Sequence, residues 1–214
     1  MFTGIIEAVG TVKSIEKKGA SGRIKVDAGL DLTGVSIGDS IAVSGACLTV
    51  VGVTKTGFDA DVSEETLRTT TLGALSLGSP VNIERALTLS KPLGGHLVSG
   101  HVDGTGVIVS AVRKDAYVDI EVGCPVELMA QLVKKGSVAV DGISLTVAYM
   151  QTGGFSVAVI PHTVANTTLK ALTPGLRVNI ETDIIGKYVL RFLAKGQKGG
   201  ITEGFLAEHG FLKG

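Results

Sequence analysis

Two short segments of this chain repeat a pattern suited to holding a polar ring. Ser44-Gly45-Ala46-Cys47 and Asp141-Gly142-Ile143-Ser144 each run into Leu-Thr-Val. Glycine tolerates positive φ, so each segment reads as a tight turn leading into a strand. Such a turn brings backbone N–H groups and one small polar side chain to a surface. Such a surface can recognise a polar heterocycle by hydrogen bonds instead of aromatic stacking. Titratable groups come from four histidines, whose charge changes near neutrality. His96 and His101 lie in Gly94-Gly95-His96-Leu97-Val98-Ser99-Gly100-His101, His162 follows Pro161 in an expected loop, and His209 lies in the tail, where it is expected to be solvated. A spacing of five does not place two metal ligands on one helix face, and no Cys or acidic cluster completes a set, so no metal is expected. His101 is open to two readings, a general acid or base and a structural group in a glycine-rich turn. For His96 the structural reading, bonded to backbone carbonyls, is the expectation. No dinucleotide fingerprint, Walker loop, nucleophile elbow or kinase motif set is present.

The elements that carry these residues come in two copies. Sliding the chain by 97 positions lays residues 40–84 on 137–181 without a gap, and 21 of 45 positions are identical. Val81-Asn82-Ile83-Glu84 falls on Val178-Asn179-Ile180-Glu181, and Gly4 and Gly10 correspond to Gly100 and Gly106 further upstream. The period exceeds the 20–50 residues of a solenoid repeat and is the size of a domain, so a whole fold is duplicated. The copies differ where chemistry could sit: Cys47 faces Ser144, Asp61 faces Ala158, Glu65 faces His162 and Arg68 faces Ala165. Two readings are open, related ligands held in different roles and drift after duplication.

Short β-branched segments punctuated by Gly, Asp and Ser predict many short strands, hence an all-β barrel or sandwich, with closure protecting the edges. Three helices are predicted against that background: one turn at 64–68, a helix at 125–135 opened by Pro125 and ended at Gly136, and a helix at 184–194. The last carries Ile185, Val189 and Phe192 on one face with Leu193 beside them, for packing on its own barrel or on other copies. Gln197-Lys198-Gly199-Gly200 reads as a hinge, and 201–214 as a short helix capped by Thr202.

Composition narrows the classes. The chain has 214 residues, with 20 Lys plus Arg against 20 Asp plus Glu. Zero net charge argues against a nucleic-acid binder. No apolar run reaches the ~18 residues of a membrane span and no signal peptide opens the chain, so a cytoplasmic globular protein is expected. Cys47 and Cys124 suit neither a disulfide framework nor a zinc site.

An ordered series of motifs along nearly the whole chain resembles the riboflavin synthases of the alpha-chain type. It comprises MFTGIIE at 1–7, ACLTV at 46–50, EETLRTTTLG at 64–73, VNIERAL at 81–87, LGGHLVSGHVDGTG at 93–106, KGSVAVDGISLTV at 135–147, IPHT at 160–163 and VNIE at 178–181. The resemblance implies two tandem six-stranded Greek-key barrels at 1–96 and 97–183, then a helix and tail at 184–214 that joins three subunits into a homotrimer. It implies a transferase reaction in which two 6,7-dimethyl-8-ribityllumazines exchange a four-carbon unit, giving riboflavin and 5-amino-6-ribitylaminouracil, with no cofactor. Both lumazines share one active site between the first barrel of one subunit and the second barrel of another. A non-catalytic lumazine- or flavin-binding antenna protein is the alternative. No nucleic acid or membrane is implied, and association with a lumazine synthase is left open.

The same resemblance carries the site residues over. Cys47, His101, Ser144, Thr146 and Asp183 are the polar candidates for catalysis: His101 for proton transfer, Ser144 or Cys47 to hold a water or ribityl hydroxyl, and Asp183 to orient a donor. Ligand contacts implied for the first barrel are Gly4, Ile5, Ile6, Cys47, Leu48, Thr49, Asp61, Val62, Ser63, Glu64, Glu65 and Thr66. For the second they are Gly100, His101, Val102, Ser144, Leu145, Thr146, Ala158, Val159, Ile160, Pro161, His162 and Thr163. Lys135 reaches over from a neighbouring subunit, and Phe2 and Thr3 close the site.

Overall fold

The computed structural model describes residues 1–196 and Glu208. The first copy supplies β1 (Ala8–Lys18), β2 (Ser21–Asp27), β3 (Ser40–Val43), β4 (Ala46–Val53), β5 (Gly57–Val62) and β6 (Pro80–Arg85). They close in the order β1-β2-β5-β4-β3-β6, antiparallel throughout. The second copy supplies β7 (Gly104–Arg113), β8 (Val118–Gly123), β9 (Ser137–Val140), β10 (Ile143–Gln151), β11 (Gly154–Val159) and β12 (Arg177–Thr182), closed in the same order. The alternation written in the sequence sets the inward faces. In β2, Ile24 and Val26 point into the first core beside Phe58, as Ile120 and Val122 of β8 point into the second beside Phe155. Closure leaves no sheet edge to template aggregation.

Each barrel carries one short helix in the same place, α1 (Glu64–Thr69) and α3 (Pro161–Ala165). Ser63 caps α1 by accepting from Thr66 N at 3.1 Å, and Pro161 opens α3 at a first-turn position that needs no N–H donor. His162 therefore lies on a helix and not in a loop. The predicted helix at 125–135 is a correction: α2 covers only Val126–Met129. Beyond it Gln131 N and Leu132 N bond three residues back, so the coil tightens while Leu128 and Leu132 both enter the second core. The left-handed residue that ends this stretch is Lys135, with φ 71, and not Gly136.

A pseudo-twofold axis relates the barrels. The two-residue turns Ser44-Gly45 and Asp141-Gly142 both have positive φ and pack back to back on it. A Cβ on Gly45 would stand 2.7 Å from Gly142 N, and one on Gly142 the same distance from Gly45 N. Asn82 donates from Nδ2 to Asp141 O at 2.9 Å, and Asn179 from Nδ2 to Ser44 O at 2.8 Å. Their Oδ1 atoms accept from Thr168 N and Thr71 N. Phe2, Ala42, Val98 and Ala139 form a small apolar cluster between the two main cores.

The last helix, α4 (Ile184–Gly196), does not pack its stripe on its own barrel: Tyr188 is 72% exposed and Phe192 77%, with Ile185, Val189 and Leu193 also exposed. Its first turn is anchored by Asp183, which accepts from Ile185 N at 2.9 Å, and by the Lys187–Asp103 ion pair at 2.7 Å. Among the described residues no helix is long and apolar enough to cross a membrane. The predicted hinge at 197–200, the capped helix at 201–214 and His209 lie outside the described residues.

Candidate active site

Position 47 and position 144 occupy equivalent places on β4 and β10, opposite Ala42 and Ala139. Their partners are not the ones expected from chain order. Cys47 N donates to Gly100 O at 2.8 Å, and Ser144 N to Gly4 O at 2.8 Å. Each barrel is thus completed by a segment that precedes the other barrel. Val102 packs against the first core and Ile6 against the second. The grouping of Gly4-Ile5-Ile6 with the first barrel and Gly100-His101-Val102 with the second is therefore exchanged. The physical reason is steric: Gly4 and Gly100 have φ 74 and 82, and a Cβ there would stand 2.6 Å from Ser144 Cβ or 2.5 Å from Cys47 Cβ. Only two glycines let the crossing segments approach so closely.

The first half-site gathers Cys47, Glu65, Thr66, Thr69, His101 and Val102 around a cavity of about 170 Å³. Glu65 accepts from the Arg68 guanidinium and from Thr69 Oγ1, and Arg68 holds its carboxyl below the usual range. Asp61 lies at the end of β5 in a two-pronged ion pair with Arg23, at 2.7 and 3.1 Å. Val62 and Leu48 face the barrel interior, whereas Thr49 and Glu64 are exposed and Ser63 serves as the helix cap. The cavity is below the ~300 Å³ lower bound of sites that bury a small ligand by themselves.

The second half-site brings together two residues that the sequence did not pair. His96 Nδ1 lies 2.7 Å from Ser144 Oγ. Burial pushes the His96 pKa down, opposed by the charge of Asp183, so the imidazole is neutral at pH 7. Its Nε2 is buried with no hydrogen-bond partner among the described residues. A neutral ring with one nitrogen on a hydroxyl and the other unsatisfied is poised to accept or pass a proton. His96 is thus not held by backbone carbonyls through its ring. Its neighbour Gly95 explains the glycine pair, since a Cβ there would stand 2.1 Å from Thr3 O and 2.8 Å from Ser144 Cβ. Of the other residues expected at this half-site, Thr146, Ala158, Ile160, Pro161 and His162 are exposed, Leu145 and Thr163 half-buried, and Val159 buried. Asp183 caps α4 within electrostatic reach of His96. His101 belongs to the other half-site, so it cannot serve Ser144 within the chain. Phe2 and Thr3, expected to close the site, are wholly buried between the barrels.

Larger hollows lie away from this chemistry. One of about 520 Å³ adjoins the Glu7, Arg85 and Lys91 cluster, and one of about 490 Å³ lies between the barrels beside Asp141 and Thr168.

Residues 3–86 and 99–183 each match the lumazine-binding domain. Riboflavin synthase of Bacillus amyloliquefaciens is 45% identical over 215 residues, covering 99% of this chain and 100% of the relative. The chain belongs to the riboflavin synthase family. Within that family the enzyme of Actinobacillus pleuropneumoniae is 43% identical over a similar span, 99% of this chain and 100% of that one. The crystal structure of LumP complexed with riboflavin shares the fold, with a TM-score of 0.78 at 23% identity over 85% of this chain and 99% of that one. The paired VNIE motifs end in Glu84 and Glu181. Both are buried, and they accept hydrogen bonds from the hydroxyls of Thr3 and Ser99 respectively.

Proposed function

We propose that this protein forms riboflavin by transferring a four-carbon unit between two molecules of 6,7-dimethyl-8-ribityllumazine, releasing 5-amino-6-ribitylaminouracil. The near full-length likeness to riboflavin synthases carries the reading, and the two unlike half-sites fit it. Two identical molecules enter and the products contain all their atoms, so electrons balance within the pair and no cofactor is required. One ring gives up a methyl proton, made acidic because the anion spreads into the heterocycle. The other accepts a nucleophile at its ring. Holding both rings in register can lower the barrier by ~7–11 kcal/mol. In this reading the neutral His96–Ser144 pair handles a proton at the second-barrel half-site, and Cys47 with His101 binds and polarises the ring at the first.

The first-barrel cavity is small and the apolar face of α4 is exposed. Both features support association of copies, in this reading a cytoplasmic homotrimer in which the first barrel of one copy faces the second barrel of the next. The chain then divides at 1–96, 97–183 and 184–214. Incubating the pure protein with the lumazine alone should give one riboflavin per two lumazines consumed, read by absorbance, and sedimentation should give a trimer. Lumazine bound but unconverted would overturn the enzymatic reading in favour of a carrier. A fully active monomer would overturn the shared site.

Lys135 supports this arrangement. Its equivalent in the first copy is Gly38, with φ 97, and the two backbone N–H groups bond equivalent strands, Lys135 N to Val147 O of β10 and Gly38 N to Val50 O of β4. The second copy therefore holds a lysine where glycine suffices, with its side chain exposed. A left-handed non-glycine residue costs about 1–2 kcal/mol. The freedom of an unfolded glycine offsets about 0.4–1 kcal/mol of that. Lys135→Gly should thus raise stability by roughly 0.5–1 kcal/mol in denaturant melts while lowering turnover tenfold or more. A stabilised variant with unchanged turnover would place Lys135 outside the site.

A further inference from the structure

Two glutamates that take no part in the chemistry above hold the crossing segments in place. Glu84 on β6 and Glu181 on β12 are 1% and 2% exposed. Glu84 Oε1 accepts from Thr3 N and Thr3 Oγ1 at 2.7 Å each, and Oε2 from Gly4 N at 3.0 Å. Glu181 does the same with Ser99 N and Ser99 Oγ at 2.7 Å and Gly100 N at 3.0 Å. The hydroxyls pass the constraint on: Thr3 Oγ1 accepts from Ile5 N and Ser99 Oγ from His101 N, both at 3.2 Å. Past each latch the chain meets the opposite barrel. Thr3 O accepts from His96 N at 3.2 Å and Gly4 O from Ser144 N at 2.8 Å, whereas Gly100 O accepts from Cys47 N at 2.8 Å.

We propose that these carboxylates are positioning residues that act crosswise: Glu84 of the first barrel sets the His96–Ser144 half-site of the second, and Glu181 of the second barrel sets the Cys47–His101 half-site of the first. The inference rests on reading those pairs as the halves of the riboflavin-forming centre. Neither half-site is then complete within its own barrel, and disturbing one barrel's latch is felt in the other.

A carboxylate accepts on both oxygens, whereas an amide of the same volume turns an NH2 towards one set of these donors. Glu84→Gln and Glu181→Gln therefore open one latch each without a cavity. In the ligand-free, full-length protein with ¹⁵N-histidine, Glu84→Gln should displace the His96 ring resonances and leave His101 in place. Glu181→Gln should displace His101 and change the rate of iodoacetamide alkylation at Cys47 threefold or more, read peptide by peptide, while sparing His96. Turnover should fall about tenfold or more in each. If either variant does not fold, Thr3→Ala and Ser99→Ala, which each remove one of the three bonds, should give the same crossed pattern at smaller amplitude. Perturbation of the half-site on the variant's own barrel, of both half-sites equally or of neither would overturn the proposal. Because the histidine and cysteine readouts need no substrate, a crossed pattern in a protein that makes no riboflavin would retain the latches and overturn the proposed function alone.

Discussion

Ser144→Ala is expected to slow riboflavin formation by about 10²–10⁴-fold, the range lost when a positioned acid–base group is removed. Ser144 Oγ is the only side-chain partner found for the His96 ring among the described residues, at 2.7 Å. Without it both ring nitrogens are left unsatisfied in a half-buried site, and the proton route from hydroxyl to imidazole is cut. His96→Gln should cost a similar factor, and the double variant little more than either single one, because groups acting as a unit are not additive. The pH profile provides a second reading. Burial lowers the His96 pKa, so the ring takes up a proton only below the usual histidine range. The acid limb of turnover should lie there and disappear in His96→Gln. Single-turnover rates with purified lumazine measure these effects. Ser144→Ala within twofold of the parent would remove the pair from the mechanism.

The second large effect concerns stability. Asp141, buried in the turn on the pseudo-twofold axis, has its pKa pushed up to about 7 by desolvation, against 3.8 in a free side chain. Among the described residues only Asn179 N, at 2.8 Å, offsets the cost of the charge. Between those two values the unfolded chain has lost the proton and the folded one keeps it. Stability must therefore fall as pH rises through this window, by on the order of 1 kcal/mol per pH unit, and level off above about 7. An asparagine at 141 can accept the same bond, suits a left-handed φ of 46 and carries no charge. Asp141→Asn should consequently be more stable than the parent at pH 8, by on the order of 1 kcal/mol or more, with the two converging near pH 4. Urea melts across pH 4–8 test this, with the parent–variant difference isolating Asp141 from the other carboxylates. A difference that does not change with pH would show that Asp141 is ionised in the folded protein.

Ser44 sits at the equivalent turn of the first barrel and is uncharged, so the duplicated fold does not need the acid there. The sequence showed that Ser44 and Asp141 open tight turns. It did not show that the turns abut across an axis, which is what buries the carboxylate.

The sequence by itself determined the strands, their duplication and the family. Alternating β-branched residues fix which faces point inward, and a shift of 97 positions aligns one copy with the other. Both are local or linear properties. It also marked Cys47, Ser144, His101 and Lys135 as residues of interest. What only the tertiary structure decided is which of them meet. Chain order assigns residues 4–6 to the first barrel and 100–102 to the second, and the fold exchanges them, because Gly4 and Gly100 let each leading segment cross the axis and bond to the other barrel. That crossing removes His101 from Ser144, gives it to Cys47, and seats His96 on Ser144. No periodicity records such a choice, since it depends on close backbone approach between positions some 50 to 140 residues apart.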